Sequence, residues 1–369
     1  MITSVLLFFL SDAIPGDPIL QAVDAEFEGS QNGAMNDALY QQKAIELHKN
    51  LPKFYFTIIP NYLPDTLYRI VNPEKRWLAW YAITRSTENE PLASNYQKYH
   101  PKFVWCGAEN QYHYFLRGFL NFDVGKSVRD GVPIFEKMKK PFRITLILAV
   151  LTLMFSITGA WFFGLAYAKN PNNKGLKLLE RAFDIIYAMP TFWIATLCIL
   201  FFCTPEFHLK IFPSPGLPDT FSGNTWSEYF THLNYFFLPA ICMSLHIFIV
   251  LSQHFKASLL ENQSENYFTT ARAKGLNYAQ SVRKHLVPNA VFPFITLIGQ
   301  VVPILITGAF IIEFIFNLPG MGRLTFDAMN TRDWLLVQTV FLASSALLLL
   351  SNLIVDIIYF WLNPMLKND

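Results

Sequence analysis

Five stretches of this chain are apolar over lengths that only a lipid bilayer would bury. They run over about Phe142–Ala168, Ala182–Cys203, Tyr235–Ser252, Ala290–Phe316 and Leu335–Leu362, and a helix needs about 20 mostly apolar residues to cross the hydrocarbon core. A chain patterned this way does not fold as an ordinary cytosolic enzyme. Its composition agrees: 52% of residues are hydrophobic and 15% charged, against about 25% charged in a typical soluble domain. The 29 Lys and Arg against 27 Asp and Glu leave a net charge of +2, too little to gather nucleic acid. Pro190, Pro239, Pro293 and Pro303 fall inside the apolar blocks. Neighbouring helices in a membrane can re-satisfy the carbonyls that proline frees.

A shorter block, Met1–Ile14, would make a helix of about 21 Å, less than the roughly 30 Å core. No basic residue precedes it and no small-residue cleavage site follows it, so it reads as a first transmembrane helix lacking its cytoplasmic end rather than as a signal peptide. Six spans are therefore expected: residues 1–14, an outer loop over 15–140, and a core of five helices over 141–369. Lys and Arg placement sets the direction. Lys169, Lys174, Lys177 and Arg181 follow the second span, and Lys256, Arg272, Lys274, Arg283 and Lys284 follow the fourth. These links and both termini are expected in the cytoplasm. Lys137, Lys139, Lys140 and Arg143 point the other way, but they end a loop too long to weigh in the charge rule.

The outer loop is rich in aromatics and prolines between Leu51 and Pro101, including Trp77, Trp80 and Tyr81. Such rings can form a small core, sit at headgroup level or touch a partner. Cys106 with His100 and His113 fits no standard zinc spacing, and no metal or cofactor site is expected. The chain has no GxxxxGK[ST] phosphate loop, HExxH or GxSxG motif, and no relay of buried carboxylates and histidines such as a proton-driven pump uses. Glu313 and Asp356 lie near span ends, where they either snorkel or serve in packing or gating.

The link over 254–288 is the most specific part of the chain. From Ser264 it reads SENYFTTARAKGLNYAQSVRKHLVPNAVFP. Ser264 or Asn266 can cap a helix over Tyr267–Lys274, Gly275 suits the position after it, and a second helical stretch over Tyr278–Leu286 stops before Pro288. On the first helix Tyr267, Ala271 and Lys274 would share one side. Two short cationic helices joined by a glycine suit docking, although any amphipathic cytoplasmic linker shares that pattern.

Gly275 followed thirteen residues later by Pro288 resembles the EAA loop of binding-protein-dependent ABC transporter permeases. TARAKGL (Thr270–Leu276) is similar to the dipeptide and oligopeptide form of that loop. PGDP at Pro15–Pro18, FDVGKS ending at Gly125 and Ser127, EFIFNLPGMGRL (Glu313–Leu324), Arg332-Asp333 and NLIVDIIYFWLNP (Asn352–Pro364) resemble further signatures of the same branch, in the same order. Three features depart from it. Thr269-Thr270-Ala271 stands where the family has Glu-Ala-Ala, Asn363-Pro364-Met365 replaces a DPR-like end, and the likeness fades over 24–102.

The resemblance implies an all-α integral membrane protein with the six transmembrane helices of the type I ABC importer permease fold, enlarged by the outer loop between helices 1 and 2. It implies a bacterial inner-membrane subunit that forms half of a translocation pathway for peptides. Its expected partners are a second similar permease, two ATP-binding cassette ATPases and an extracytoplasmic solute-binding protein; no cofactor of its own is expected. ATPase coupling maps onto Tyr267, Thr270, Ala271, Arg272, Ala273, Lys274, Gly275, Leu276 and Pro288. The outer mouth maps onto Glu313, Pro319, Gly320, Gly322, Arg323 and Asp333, the two glycines being expected in backbone conformations closed to other residues. A nickel or other small-solute permease of the same fold is the nearest alternative, and a secondary transporter a more distant one.

Overall fold

The computed structural model describes residues 37–70, 73–88, 100–127, 129–204, 211–307 and 310–362, with residues 5, 8, 9, 19 and 23 as single positions. The first span expected over Met1–Ile14 lies outside the described residues save for three of those positions, and residues 363–369 lie outside them entirely. The chain divides into two compact units, Met1–Lys137 with Ala328–Thr339, and Met138–Asp327 with Val340–Asp369.

The first unit holds α1 (Asp37–Glu46), β1 (Phe56–Pro60), α2 (Pro73–Glu88), β2 (Pro101–Trp105) and α3 (Gln111–Leu120). The all-helical expectation did not include the two strands. Their β-branched and aromatic residues favour extended backbone. They pair antiparallel, from Phe56 opposite Trp105 to Pro60 opposite Pro101, so that prolines with no N–H to donate end the ladder. Alternation puts Phe56, Ile58, Phe103 and Trp105 on one face, and all four are exposed, Trp105 by 66%. Other aromatics do form a small core: Tyr112 is buried, with the rings of Phe54 and Tyr55 at 5.1 and 6.0 Å. Trp77 and Tyr81 instead stack on each other at 5.3 Å on an exposed side of α2. The loop's aromatics thus split between the core and the exposed readings.

Helix α4 (Ile134–Lys169) leads into the second unit, followed by α5 (Lys174–Ala188), α6 (Thr191–Phe202), the short α7 (Trp226–Thr231) and α8 (Asn234–Ser264). Next come α9 (Asn266–Ala273), α10 (Tyr278–Ser281), α11 (Val287–Thr307), α12 (Phe310–Ile315), α13 (Met321–Asn330) and α14 (Trp334–Leu362). Among the described residues, α4, α8 and α14 over Trp334–Ile358 are each long and apolar enough to cross a membrane. The block expected as one span over Ala182–Cys203 is instead two helices, α5 and α6, bent by 107°. Proline explains the break: it drives the residue before it out of helical geometry, and Met189 sits at φ −84°, ψ 136°. Pro141 and Pro239 lie inside α4 and α8 without such a break. The fifth block is described as α11 and α12, with 308–309 outside the described residues.

Two apolar clusters hold this unit together. One gathers Ile144, Leu148, Ala195, Phe236, Cys242, Ile312 and Phe316. The other gathers Ala160, Leu251, Phe255, Leu259, Leu286 and Phe294 around Phe268. The cations that disagreed with the charge rule have structural work here. Arg143 donates to the carbonyls of Gly223 and Asn224 at 3.2 and 2.9 Å, and Lys140 lies over the Phe221 ring at 5.4 Å.

Candidate functional site

The segment 264–288 is two short helices slung between two long ones. Only Glu265 separates α8 from α9, and α10 runs through a π turn over Val282–Leu286 into α11. Between them Gly275 has φ +87°, with nothing within 4 Å of where a side chain would start. Its requirement is therefore torsional, since a left-handed backbone costs any residue with a Cβ about 1–2 kcal/mol. Asn277 starts α10 with a reciprocal capping box, its side chain and that of Gln280 each taking the other's backbone N–H.

Phe268 and Ala271 root α9 in the second apolar cluster and are buried. Thr269, Thr270, Arg272, Ala273, Lys274 and Gly275 are exposed, and Leu276 is half-buried. Tyr267 donates its hydroxyl to Asn262 Oδ1 at 2.7 Å. Tyr278 donates to the Ala168 carbonyl near the end of α4 at 2.8 Å, and the Arg272 guanidinium lies over its ring at 5.9 Å. The segment is thus bolted to α4, α8 and α11 while one side of α9 stays open.

The structure changes the sequence reading in three places. Neither Ser264 nor Asn266 caps α9: Ser264 is the last residue of α8, and the N-cap is Glu265, with no side-chain hydrogen bond. The side shared by Tyr267, Ala271 and Lys274 is not the open side of α9, because Ala271 is buried in the core. The stretch before Pro288 does not stop there. A proline ring collides with the carbonyl four residues back, and the wider π turn, in which Val287 N–H reaches the Val282 carbonyl, lets the helix continue past it. The i, i+3 apolar pair of Phe268 and Ala271 and the Asn-x-x-Gln cap were legible in the sequence but went unused.

The outer residues form two constructions. In the second unit Glu313 is completely buried, so it does not snorkel. Its carboxylate accepts the Thr145 hydroxyl at 2.7 Å, the Arg323 N–H at 3.0 Å and the Gly322 N–H. Thr145 Oγ1 in turn accepts the Met321 N–H at 2.8 Å. A carboxylate enclosed in this way acts as a knot for the Pro319–Gly322 turn. Neither Gly320 nor Gly322 has a positive φ, contrary to the expectation; a Cβ on Gly320 would run into the Glu313 carboxylate, and one on Gly322 into the backbone of Phe310. Pro319 is exposed, and with Gly320 and Arg323 it borders an open cleft of about 540 Å³ that Lys140 and Asp219 also line.

In the first unit Asp333 is buried and sits directly ahead of α14, its Oδ1 accepting the Leu336 N–H at 3.4 Å as helix N-caps do. Its other oxygen accepts the Ser127 hydroxyl at 2.5 Å, and Lys137 Nζ lies 3.9 Å away. Two sequence signatures 206 residues apart meet in this hydrogen bond. Lys137 also pairs with Asp130 at 2.6 Å. Burial raises the Asp130 carboxyl's pKa, but hydrogen bonds from Lys137, Ser127 and the Val132 N–H outweigh it and hold the group below its ordinary range. That contribution is present above the ordinary carboxyl range and is lost as pH falls through the lowered value. Asp333→Ala is expected to fray the start of α14, read as faster amide exchange over 334–337; unchanged protection would show that the cap is idle.

Bundled helices, three of them long and apolar enough to cross a membrane among the described residues, are the build of a membrane-embedded protein. Residues 157–368 match the family described as binding-protein-dependent transport system inner membrane component, and the chain belongs to that family. It is a multi-pass inner-membrane permease subunit of an ABC transporter. It is 31% identical over 257 residues to the probable peptide ABC transporter permease protein y4tP of Sinorhizobium fredii, covering 70% of this chain and 80% of that protein. It is 29% identical over 285 residues to the oligopeptide transport system permease protein AppB of Bacillus subtilis, covering 76% and 85%. The dipeptide transport system permease protein DppB of Escherichia coli (strain K12) is 29% identical over 279 residues, covering 70% and 80%.

Proposed function

We propose that the chain is one of two pore-forming permeases of an ATP-driven peptide importer, worked from the cytoplasm through α9. The observation that carries this is the mounting of α9, with one side rooted by Phe268 and Ala271 and the other exposing Thr269, Thr270, Arg272, Ala273 and Lys274. A helix held this way moves as a rigid piece, and α8 and α11 move with it. Alternating access follows if that motion exchanges two packed arrangements of the spans. Two cytoplasmic ATPases supply the stroke, a second permease the other half of the pathway, and an extracytoplasmic solute-binding protein the cargo. The segment 264–288 and both termini face the cytoplasm, as the Lys and Arg around α5 and α9–α10 favour. Peptides are the cargo supported by the names of the three relatives. Reconstitution with its second permease, ATPases and binding protein in proteoliposomes should give ATP-dependent peptide uptake; vectorial movement by the purified chain alone would overturn the reading.

The outer loop, in the same reading, rests against the binding protein or the outer face of the partner permease. The exposed apolar face of Phe56, Ile58, Phe103 and Trp105 supports this, because large apolar patches on water-exposed surfaces mark interaction sites. Ile58→Ser with Trp105→Ser removes apolar bulk from that face at positions that are already 65% and 66% exposed. Uptake and binding-protein capture are expected to fall in that variant, and both staying at wild-type levels there and on deletion of residues 36–100 would remove this role.

A further inference from the structure

Helix α5 divides into three sectors, only one of which the bundle uses. At 100° per residue, Leu176, Glu180, Phe183 and Tyr187 make the inward sector. Glu180 is ion-paired with Lys256 of α8, Lys256 lies over the Tyr167 ring at 4.7 Å, Phe183 meets Phe248 at 4.9 Å edge-on, and Gln253 donates to Asp184 at 3.1 Å. The opposite sector holds Leu178, Leu179, Ala182 and Ile185. It is open, with Leu178 68% and Ile185 66% exposed. Lys174, Lys177 and Arg181 form the third sector along one flank of that apolar stripe and are also exposed. Among the described residues they form no ion pair; Lys177 donates to the Asn172 side chain at 3.3 Å and acts on Glu180 only through space. Both carboxylates of the helix are engaged toward α8, which leaves its outward charge basic.

The 107° bend at Met189–Pro190 lays α5 across the direction of α6 rather than along it. As α5 advances from Glu180 to Tyr187 its partners step back from Lys256 to His246 on α8 and from Tyr167 to Phe163 on α4, so α5 runs antiparallel beside both long helices, with its cations gathered toward its start. Cations near one end of an apolar, lipid-facing stripe reach the headgroups while the leucines meet the acyl chains. We propose that α5 is a binding site for anionic phospholipid, with Lys174, Lys177 and Arg181 holding the headgroup phosphates and Leu178 and Ile185 seated in the acyl boundary. The occupant is lipid rather than protein because the stripe carries unpaired positive charge beside it, complementary to an anionic leaflet. The Glu180–Lys256 pair ties this helix to α8, which leads into α9, so lipid held here steadies the base of the segment proposed to couple to the ATPases.

Retention of phosphatidylglycerol by the detergent-purified full chain, read by native mass spectrometry against phosphatidylcholine, tests the headgroup half of this proposal. A Lys174→Gln, Lys177→Gln, Arg181→Gln variant is expected to lose affinity for phosphatidylglycerol by about tenfold or more, and Lys174→Arg with Lys177→Arg to keep it. Equal retention by wild type and the Gln variant would overturn the site. Because the chain's own fold is read from its monodispersity, a variant that aggregates is replaced by Arg181→Gln alone, with a smaller loss expected in the same direction. For the acyl half, p-benzoylphenylalanine at Leu178 or Ile185 is irradiated in membranes of the assembled transporter. A phospholipid adduct is expected, and a crosslink to another protein chain would show that a partner covers the stripe. Neither readout uses peptide uptake, so failure here is separable from failure of the transport reading.

Discussion

Gly275→Pro should bring uptake to background while the permease still inserts and accumulates. Proline is confined near φ −65°, and the native backbone at this position is at +87°. No side-chain adjustment bridges that difference, so the variant must redirect the chain between α9 and α10. The two long helices remain rooted in their own apolar clusters, which is why insertion is expected to survive. Gly275→Ala separates torsion from crowding: space around the position is open, so its cost is the left-handed backbone alone, about 1–2 kcal/mol, and partial uptake is expected. Ala273→Glu tests the exposed side by a different route. It leaves the backbone alone and adds a negative charge beside Arg272 and Lys274, so copurification with the ATPases should fall along with uptake. Wild-type transport in either Gly275→Pro or Ala273→Glu would count heavily against α9 as the coupling element.

Glu313→Ala should be the most destabilising single change in the outer part of the second unit. It strips the acceptor from the Thr145 hydroxyl and from the N–H groups of Gly322 and Arg323. Each buried donor left without a partner costs about 1–3 kcal/mol, so a loss of about 3 kcal/mol or more is expected, read as a Tm lowered by several degrees in detergent. Glu313→Gln keeps one acceptor oxygen but turns an NH2 toward groups that are themselves donors, so it should fall between alanine and wild type. Gly320→Ala attacks the same knot from outside by forcing a methyl group against the carboxylate. If Glu313→Ala and Gly320→Ala both melt like wild type, the turn is held by something else. If they melt early but purified survivors transport normally, Glu313 is a structural group and takes no part in gating.

The two glycine positions show what kind of information the sequence carries. At Gly275 the sequence reading and the structure agree on the cause: a residue between two short helical runs, free to take φ above zero. At Gly320 and Gly322 the same argument does not hold. Their φ angles are ordinary, and what excludes a side chain is the Glu313 carboxylate at Gly320 and the Phe310 backbone at Gly322. Steric demand of that sort is set by a neighbour, and the loop's own residue pattern carries no record of it. Glu313 itself was legible only as an acidic residue near a span end, which fits snorkelling as well as burial.

Local and one-dimensional features were determined by the sequence: the apolar blocks, the short helices around Gly275, the cationic links and the absence of a phosphate loop. Each depends on composition over one window or on a residue's own backbone preference, and a linear chain displays both. Tertiary structure alone decided which side of α9 is rooted, that Pro190 breaks a block where Pro239 does not, and that Ser127 meets Asp333 across 206 positions. Those outcomes depend on which surfaces face one another once the helices are packed, and the free energy of that packing belongs to pairs of residues far apart in the chain.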